Sequence, residues 1–344
     1  MHHHATTNFE LGDQWAAWRS GHPEANLRDD ARGLGVSEVE LLATGCGATV
    51  TRLCGGWVEL LRGLQELGPL TLQSESNGSV IEAQGIAVAG SWSGRRGALR
   101  IGASRLRLQL DRWFYGYAIK GEDDAASVQF FAADGQRILT INRTPEAMRE
   151  RWTQLVRRFT SADQNPWVEL VPTPEPSTAD RPDSGVDLKA LRAAWDDPQQ
   201  RHDCGDLSRQ FGITRLQTFR LAGESRARVV PTSSFKTALR CAASAHVPVA
   251  LTVESIGLAH TYTGIVRRVE HVESLLTVVE PGMRLYISEP RVAAAWLVRR
   301  PTAQGTLSSL QYFDPIAQPI LTVAGNTTPG EPGLDRWERL VASL

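Results

Sequence analysis

Lysine is almost missing from this chain: Lys120, Lys189 and Lys236 are the only three among 37 basic side chains. A biased codon composition accounts for this, and so does a use for the guanidinium fork, which grips carboxylates better than an ammonium does. Cysteine is also scarce. Cys46, Cys54, Cys204 and Cys241 are scattered without a CxxC or zinc-ligand spacing, which fits reduced thiols in a cytoplasmic protein. No run of about 18 apolar residues is present, so no transmembrane helix and no membrane insertion are expected. The N-terminus lacks an apolar h-region, so no secretory signal is expected, and Met1-His2-His3-His4 reads as a tag remnant. Charge of one sign is lacking too: 37 basic against 38 acidic side chains leave a net charge of -1. That balance gives no general pull toward nucleic acid or an anionic membrane. Gly45, Gly47, Gly55 and Gly56 are not followed by Lys-Ser/Thr, and no nucleophile elbow or HExxH is found.

What is present is repetition. Gly68-Pro69-Leu70-Thr71-Leu72-Gln73-Ser74-Glu75-Ser76-Asn77-Gly78 returns as Val247-Pro248-Val249-Ala250-Leu251-Thr252-Val253-Glu254-Ser255-Ile256-Gly257. Ser127-Val128-Gln129-Phe130-Phe131 returns as Ser309-Leu310-Gln311-Tyr312-Phe313, and Leu34-Gly35-Val36-Ser37 as Phe211-Gly212-Ile213-Thr214. So long a period means two copies of one domain, and 344 residues suffice for two cores. Helical spacing is expected in a first segment holding Trp15 and Trp18, over 27–44 with a Ser37/Glu40 capping box, from Trp57 to near Gly68, and over 144–159. Between them, 70–142 reads as strands; Arg105-Leu106-Arg107-Leu108-Gln109-Leu110 alternates with period two. The second copy repeats the order, with helices over 188–245, strands over 248–325 and a closing helix over 331–343. Helices followed by a block of strands predict an α+β fold, a tandem duplication of a helix-flanked antiparallel β-sheet domain. The expected divisions are 1–13 as a tag-bearing disordered N-terminus, 14–160 as the first repeat, 161–187 as a proline-rich linker and 188–344 as the second repeat.

Duplication makes differences between the copies informative. Aligning Phe211-Gly212-Ile213-Thr214 on Leu34-Gly35-Val36-Ser37 sets His202 opposite Ala25, at or just before a helix N-terminus. The helix dipole there favours a neutral imidazole, which is what a metal centre requires. A helix-capping surface histidine satisfies the same position. His22 lies near the corresponding place in the first copy, out of register. Arg107 falls opposite Tyr286, and Trp113 is aligned with Trp296, which leaves Arg299 and Arg300 special to the second copy. Arginines on the wet face of a strand fit these positions equally.

Ala295-Trp296-Leu297-Val298-Arg299-Arg300-Pro301-Thr302, Ser309-Leu310-Gln311-Tyr312-Phe313-Asp314, Pro329-Gly330-Glu331-Pro332 with Trp337, and the opening Leu34–Leu42 segment together resemble the HemS/ChuS-type haem-trafficking and haem-degrading proteins of bacterial haem uptake. The resemblance spans both halves. It implies a cytoplasmic protein of iron acquisition that binds one haem b (iron protoporphyrin IX) in a cleft where the halves meet. His202 matches the family's axial iron ligand, Arg107 its distal arginine and Arg299 an arginine suited to a haem propionate, with Arg300 and Tyr286 nearby. If the protein is catalytic, Arg107 is the residue expected to stabilise negative charge developing during oxidative attack on the porphyrin. If it is a carrier, it hands intact haem to a separate haem oxygenase or receives it from membrane importer components.

The chain also departs from the family pattern. Ser76-Asn77-Gly78-Ser79-Val80-Ile81-Glu82 keeps only part of an Asn-Glu-x-x-Val-His-Glu string and has no histidine. Thr261-Tyr262-Thr263-Gly264 stands for the usual Ile-His-Thr-Gly, and Asp203-Cys204-Gly205 replaces two aromatics after the ligand. Cys204 is either an alternative iron ligand or an inert small side chain. These departures keep open a third reading, a haem-free scaffold descended from the family. Monomer and dimer are both open.

Overall fold

The computed structural model describes residues 8–23, 25–121, 124–171, 180–198, 204–302, 305–326 and 333–343. The first copy runs α1 (Asn8–Gly21), α2 (Leu27–Leu34), α3 (Glu38–Ala43), β1 (Val50–Leu53), α4 (Trp57–Gly63), β2 (Pro69–Glu75), β3 (Ser79–Ser93), β4 (Arg96–Ile101), β5 (Ser104–Gln109), β6 (Tyr115–Lys120), β7 (Ala126–Phe131), β8 (Arg137–Arg143) and α5 (Arg149–Phe159). The second runs α6 (Leu188–Asp196), α7 (Cys204–Phe211), α8 (Arg215–Ala222), β9 (Ala227–Val229), α9 (Ser234–Ser244), β10 (Pro248–Ser255), β11 (Leu258–Ile265), β12 (Arg268–Val272), β13 (Leu275–Glu280), β14 (Met283–Ser288), β15 (Ala294–Thr302), β16 (Gly305–Phe313), β17 (Pro319–Gly325) and α10 (Gly333–Ala342). Element for element the order is the same, except that the long β3 corresponds to β11 and β12 together.

The first copy pairs its strands antiparallel in the order β1-β6-β7-β8-β2, and the second in the order β9-β15-β16-β17-β10. Each copy adds a three-stranded meander, β3-β4-β5 and β12-β13-β14. The α+β class expected from the order of helices and strands is the one formed.

Two compact units result. One comprises 1–74, 82–173 and 255–258, and the other 75–81, 174–254 and 259–344. In the first, Phe130 meets Trp57 edge-on at 5.2 Å and lies 4.7 Å from Trp113, over a floor that includes Leu99, Leu106 and Leu108. Trp57 Nε1 donates to the Trp113 carbonyl, so the indole loses no hydrogen bond on burial. In the second, Phe235 and Tyr312 stack edge-on and Trp337 donates to the Ser308 carbonyl at 2.7 Å. A further cluster there joins Trp195, Phe219, Phe313 and Val298.

The hairpin tips are equivalent in detail. In the first unit Gln109 N donates to the Gly257 carbonyl at 2.9 Å, and Trp113 Nε1 donates to the same oxygen. In the second unit Ser288 N donates to the Gly78 carbonyl at 2.9 Å. Gly257 is held at φ 74°, and a Cβ there would sit 2.7 Å from Arg112 Cβ and 3.0 Å from the Gln109 carbonyl.

Three expectations are modified. The helix over 27–44 is two helices, because Gly35 turns left-handed at φ 69° and ends α2. Ser37 and Glu40 then form the expected capping box that opens α3. The stretch 161–171, expected as linker, is packed: Val168 is buried, and Arg52 donates to the Asn165 carbonyl at 2.6 Å. Its alternating Val168 and Leu170 give it an apolar face, which a solvated linker lacks. Within 1–13, α1 already begins at Asn8.

Two outcomes follow for stability. A methyl group added at Gly35 would meet open space, so Gly35→Ala costs only the left-handed backbone term, about 1 kcal/mol. Gly257→Ala adds the displacement of Arg112 and the Gln109 carbonyl, so its urea midpoint falls further than that of Gly35→Ala. His260 on β11 is fully buried, and burial pushes its imidazole from 6.5 down to about 3. The unfolded ring takes a proton below about 6.5 while the native ring stays neutral, so stability rises with pH between about 3 and 6.5. Urea titrations from pH 7 to pH 5 are expected to show a loss of about 1.4 kcal/mol per pH unit below the unfolded pKa. His260→Gln flattens that slope.

Candidate functional site

The β3-β4-β5 meander has one buried face and one open face. Along β5, Ser104, Leu106 and Leu108 are buried while Arg105, Arg107 and Gln109 are exposed, the alternation that a half-buried strand dictates. Pairing builds rows across the open face: Val88–Arg100–Arg105, then Ala98–Arg107, then Ser93–Arg96–Gln109. Gly90 lies beside Ala98, where a Cβ would come 3.4 Å from that of Ala98. Arg107 therefore stands at the edge of a floor made of a glycine and an alanine. Ile86 and Val88 leave 53% and 43% of their surface open on the same face. Among the described residues, Arg96, Arg100, Arg105 and Arg107 have no carboxylate partner.

The second copy fills the same positions differently. Its β13-β14 pairing sets Thr277 against Tyr286, matching Ala98 against Arg107, so the alignment of Arg107 with Tyr286 is the one the strands adopt. Tyr286 is half-buried where Arg107 is exposed. Val279 and Leu275 stand where the first copy has Arg100 and Arg96, and only Arg284 keeps the charge of its counterpart Arg105.

A difference between copies is not by itself functional. Arg215 at the start of α8 occupies the position of Glu38 at the start of α3. Arg215 donates to Glu254 at 2.8 Å and to Gln311 at 2.9 Å, while Glu38 accepts from Arg28 and pairs with Arg137 at 3.3 Å. Both side chains find internal partners, and the exchange is structural. Arg107 differs and has no such partner among the described residues.

Arg299 and Arg300 require a correction. Trp296 pairs with Gln311 as Tyr117 pairs with Gln129, so Trp296 is the counterpart of Tyr117, not of Trp113. Counting on along β15, Arg299 corresponds to Lys120, and a basic side chain there is common to both copies. Consecutive strand residues point to opposite faces, so Arg299 and Arg300 do not share a grip. Arg300 lies over the Trp195 ring at 5.2 Å and adds to the field on Asp196. The hydrogen bonds of Arg226 hold the Asp196 carboxyl below the usual range, with Nε to Oδ1 at 2.8 Å. Arg299 lies on the face of Leu297, opposite Ser308.

His202 lies outside the described residues. The helix after it, α7, opens two residues later at Cys204, as α2 opens two residues after Ala25. His22 stacks on the Trp18 ring at 4.1 Å, with Nδ1 3.1 Å from the Trp18 carbonyl. It packs on its own helix. No helix among the described residues is long and apolar enough to cross a membrane.

Residues 35–159 and 212–344 match the haemin-degrading HemS/ChuX domain. The chain belongs to the HemS family. It is 26% identical over 343 residues to the hemin transport protein HmuS of Yersinia pestis, covering 98% of each. Its fold superposes on apo-PhuS, a heme-binding protein from Pseudomonas aeruginosa, with a TM-score of 0.92 and 29% identity over 98% of this chain and 99% of that one. The heme-degrading enzyme ChuS of Escherichia coli O157:H7 superposes with a TM-score of 0.89 at 24% identity, over 98% and 99% of the two chains, and supports the fold. The HemS domain thus occurs twice in the chain, a family of haem-binding, haem-trafficking and haem-degrading proteins.

The open meander face could not be found from single positions, because Gly90 and Ala98 carry no chemistry and Arg96, Arg100 and Arg105 look like solvated strand arginines. The available signal was the copy-to-copy loss of Arg96 and Arg100 to Leu275 and Val279. Exposure without partners gives a direct expectation. Arg107→Ala changes the unfolding free energy from urea titration by less than about 0.5 kcal/mol, whereas Leu106→Ala costs about 2–5 kcal/mol.

Proposed function

We propose that this HemS-family protein binds one haem per chain as cargo or substrate, in haem uptake and iron acquisition. The observation that carries the reading is Arg107, exposed beside Gly90 and Ala98 and without a carboxylate partner among the described residues, in a chain that resembles heme-binding PhuS along its whole length. A planar, largely apolar ligand fits that floor and the exposed Ile86 and Val88, and its carboxylates suit unpaired arginines. His202 is the proposed axial ligand, giving iron the Nε2 lone pair of a neutral imidazole.

Haem supplies the iron and redox chemistry. The proposed work of the chain is ligation, orientation and charge. Arg107 would present its guanidinium charge to the distal side. Arg299 is proposed to pair with a propionate, with Tyr286 completing the set, while Arg300 on the opposite face of β15 stays with Trp195 and Asp196. A cytoplasmic protein that hands haem on and one that degrades it both need this arrangement. HmuS is a hemin transport protein and ChuS a heme-degrading enzyme, so relatives of each kind exist.

Titrating haem into tag-free protein tests the reading, since His2-His3-His4 can bind haem by itself. The wild type is expected to develop a Soret band that His202→Ala weakens and shifts. An unchanged spectrum and affinity in His202→Ala removes His202 as the ligand. Single turnover with reductant, oxygen and catalase then separates the two roles: loss of the Soret band assigns oxidative degradation, and intact haem assigns carriage.

A further inference from the structure

We propose that Arg100 and Arg105, outside the set assigned above, form a carboxylate-binding subsite that selects dicarboxylate porphyrins over neutral ones. The inference rests on the haem reading and deepens it by naming what recognises the acid groups of the ligand.

Arg100 on β4 and Arg105 on β5 are directly opposed in the strand register, on the open face of the meander. Opposed side chains of one face lie about 4.5–5.5 Å apart at Cβ, and like charges there repel. No acidic side chain among the described residues offsets this pair, although the chain has 38 to draw on. Elsewhere the same fold supplies partners to its arginines. Arg143 and Arg149 share Asp124, Arg220 is held by Asp180 and Asp183, and Arg226 is held by Asp196. Arg268, the counterpart of Val88 in the second copy, is paired with Glu270. Leaving two opposed guanidinium groups uncompensated on this one face leaves a site that an external anion completes.

The position of the pair indicates which anion. Arg105 is two residues from Arg107 on the same strand face, about 6.6–6.8 Å along the strand. That is of the order of the distance from the centre of a porphyrin to its carboxylates. Gly90 and the buried Ala98 beside Arg107 carry no side chain longer than a methyl group, and Val88 completes the row of Arg100 and Arg105 with an apolar contact. A porphyrin lying on the floor with its centre near Arg107 brings a carboxylate to the opposed pair. Haem carries two carboxylates, so this grip adds to the one proposed for Arg299. The second copy has Val279 opposite Arg284 and lacks the pair.

The test compares haem with its dimethyl ester, which keeps the ring and iron and removes both charges. Wild type is expected to prefer haem over the ester, with a preference that shrinks as salt rises. The double variant Arg100→Gln/Arg105→Gln is expected to lose about tenfold or more in haem affinity, the scale of a charge-assisted hydrogen bond, and to keep its affinity for the ester. Arg284→Gln, the matching change in the second copy, is expected to leave both affinities at the wild-type value. Both sites are exposed, and unchanged urea midpoints report intact folding. If the double variant keeps the wild-type preference for haem over the ester, the subsite is refuted while the haem reading stands. If wild type binds neither porphyrin, the haem reading fails and the subsite falls with it.

Discussion

The pleat of β5 is the constraint on which the proposed site depends. Leu106 and Leu108 are buried in the first unit's core, and burying each contributes about 1.5–3 kcal/mol. A one-residue slip would send both leucines to water and drive Arg105 and Arg107 into the core, where uncompensated charge is far more costly. The core therefore fixes the direction of the arginines. Arg107 is held outward by its neighbours and has no carboxylate partner among the described residues, which leaves its guanidinium available to a ligand.

Duplication gives this constraint a control. The same pleat operates in β14, where Leu285 and Ile287 are buried and Arg284, Tyr286 and Ser288 face the other way. The scaffold is shared while the open face differs. Comparison of copies becomes selective once internal partners are considered. Glu38 and Arg215 reverse charge, yet each is satisfied inside its own unit. Arg107 against Tyr286 and Arg100 against Val279 replace an unpaired cation with a side chain that needs none. Arg299 and Lys120 illustrate the opposite case, in which an apparent difference disappears once strand pairing sets the register.

Much of the fold was legible in the chain because repeats and periodicity are local signals. The strand block, the closing helices and the Ser37/Glu40 cap were all readable from spacing. The break at Gly35 was less visible, since a glycine inside a helical pattern is tolerated until the chain turns left-handed there. Packing of 161–171 was hidden by its proline-rich continuation, although Val168 and Leu170 carried the alternation. The site was legible only in part. Arg107 and Tyr286 could be matched because the segments around them align without a gap. The offset between Trp113 and Trp296 arose because the two hairpins after β6 and β15 differ in length, which sequence alone does not show. Gly90 and Ala98 escaped notice because a floor is defined by the absence of side chains.

On the proposed reading a doubled scaffold carries one haem site, since His202, Arg107 and Arg100 have Ala25, Tyr286 and Val279 as counterparts in the other copy. Calorimetric titration of haem into tag-free wild-type protein measures this directly. One haem per chain at saturation is the predicted result. Two equivalent haems per chain would contradict it, because each copy would then be sufficient and the unpaired arginines of the first would confer nothing that the second lacks.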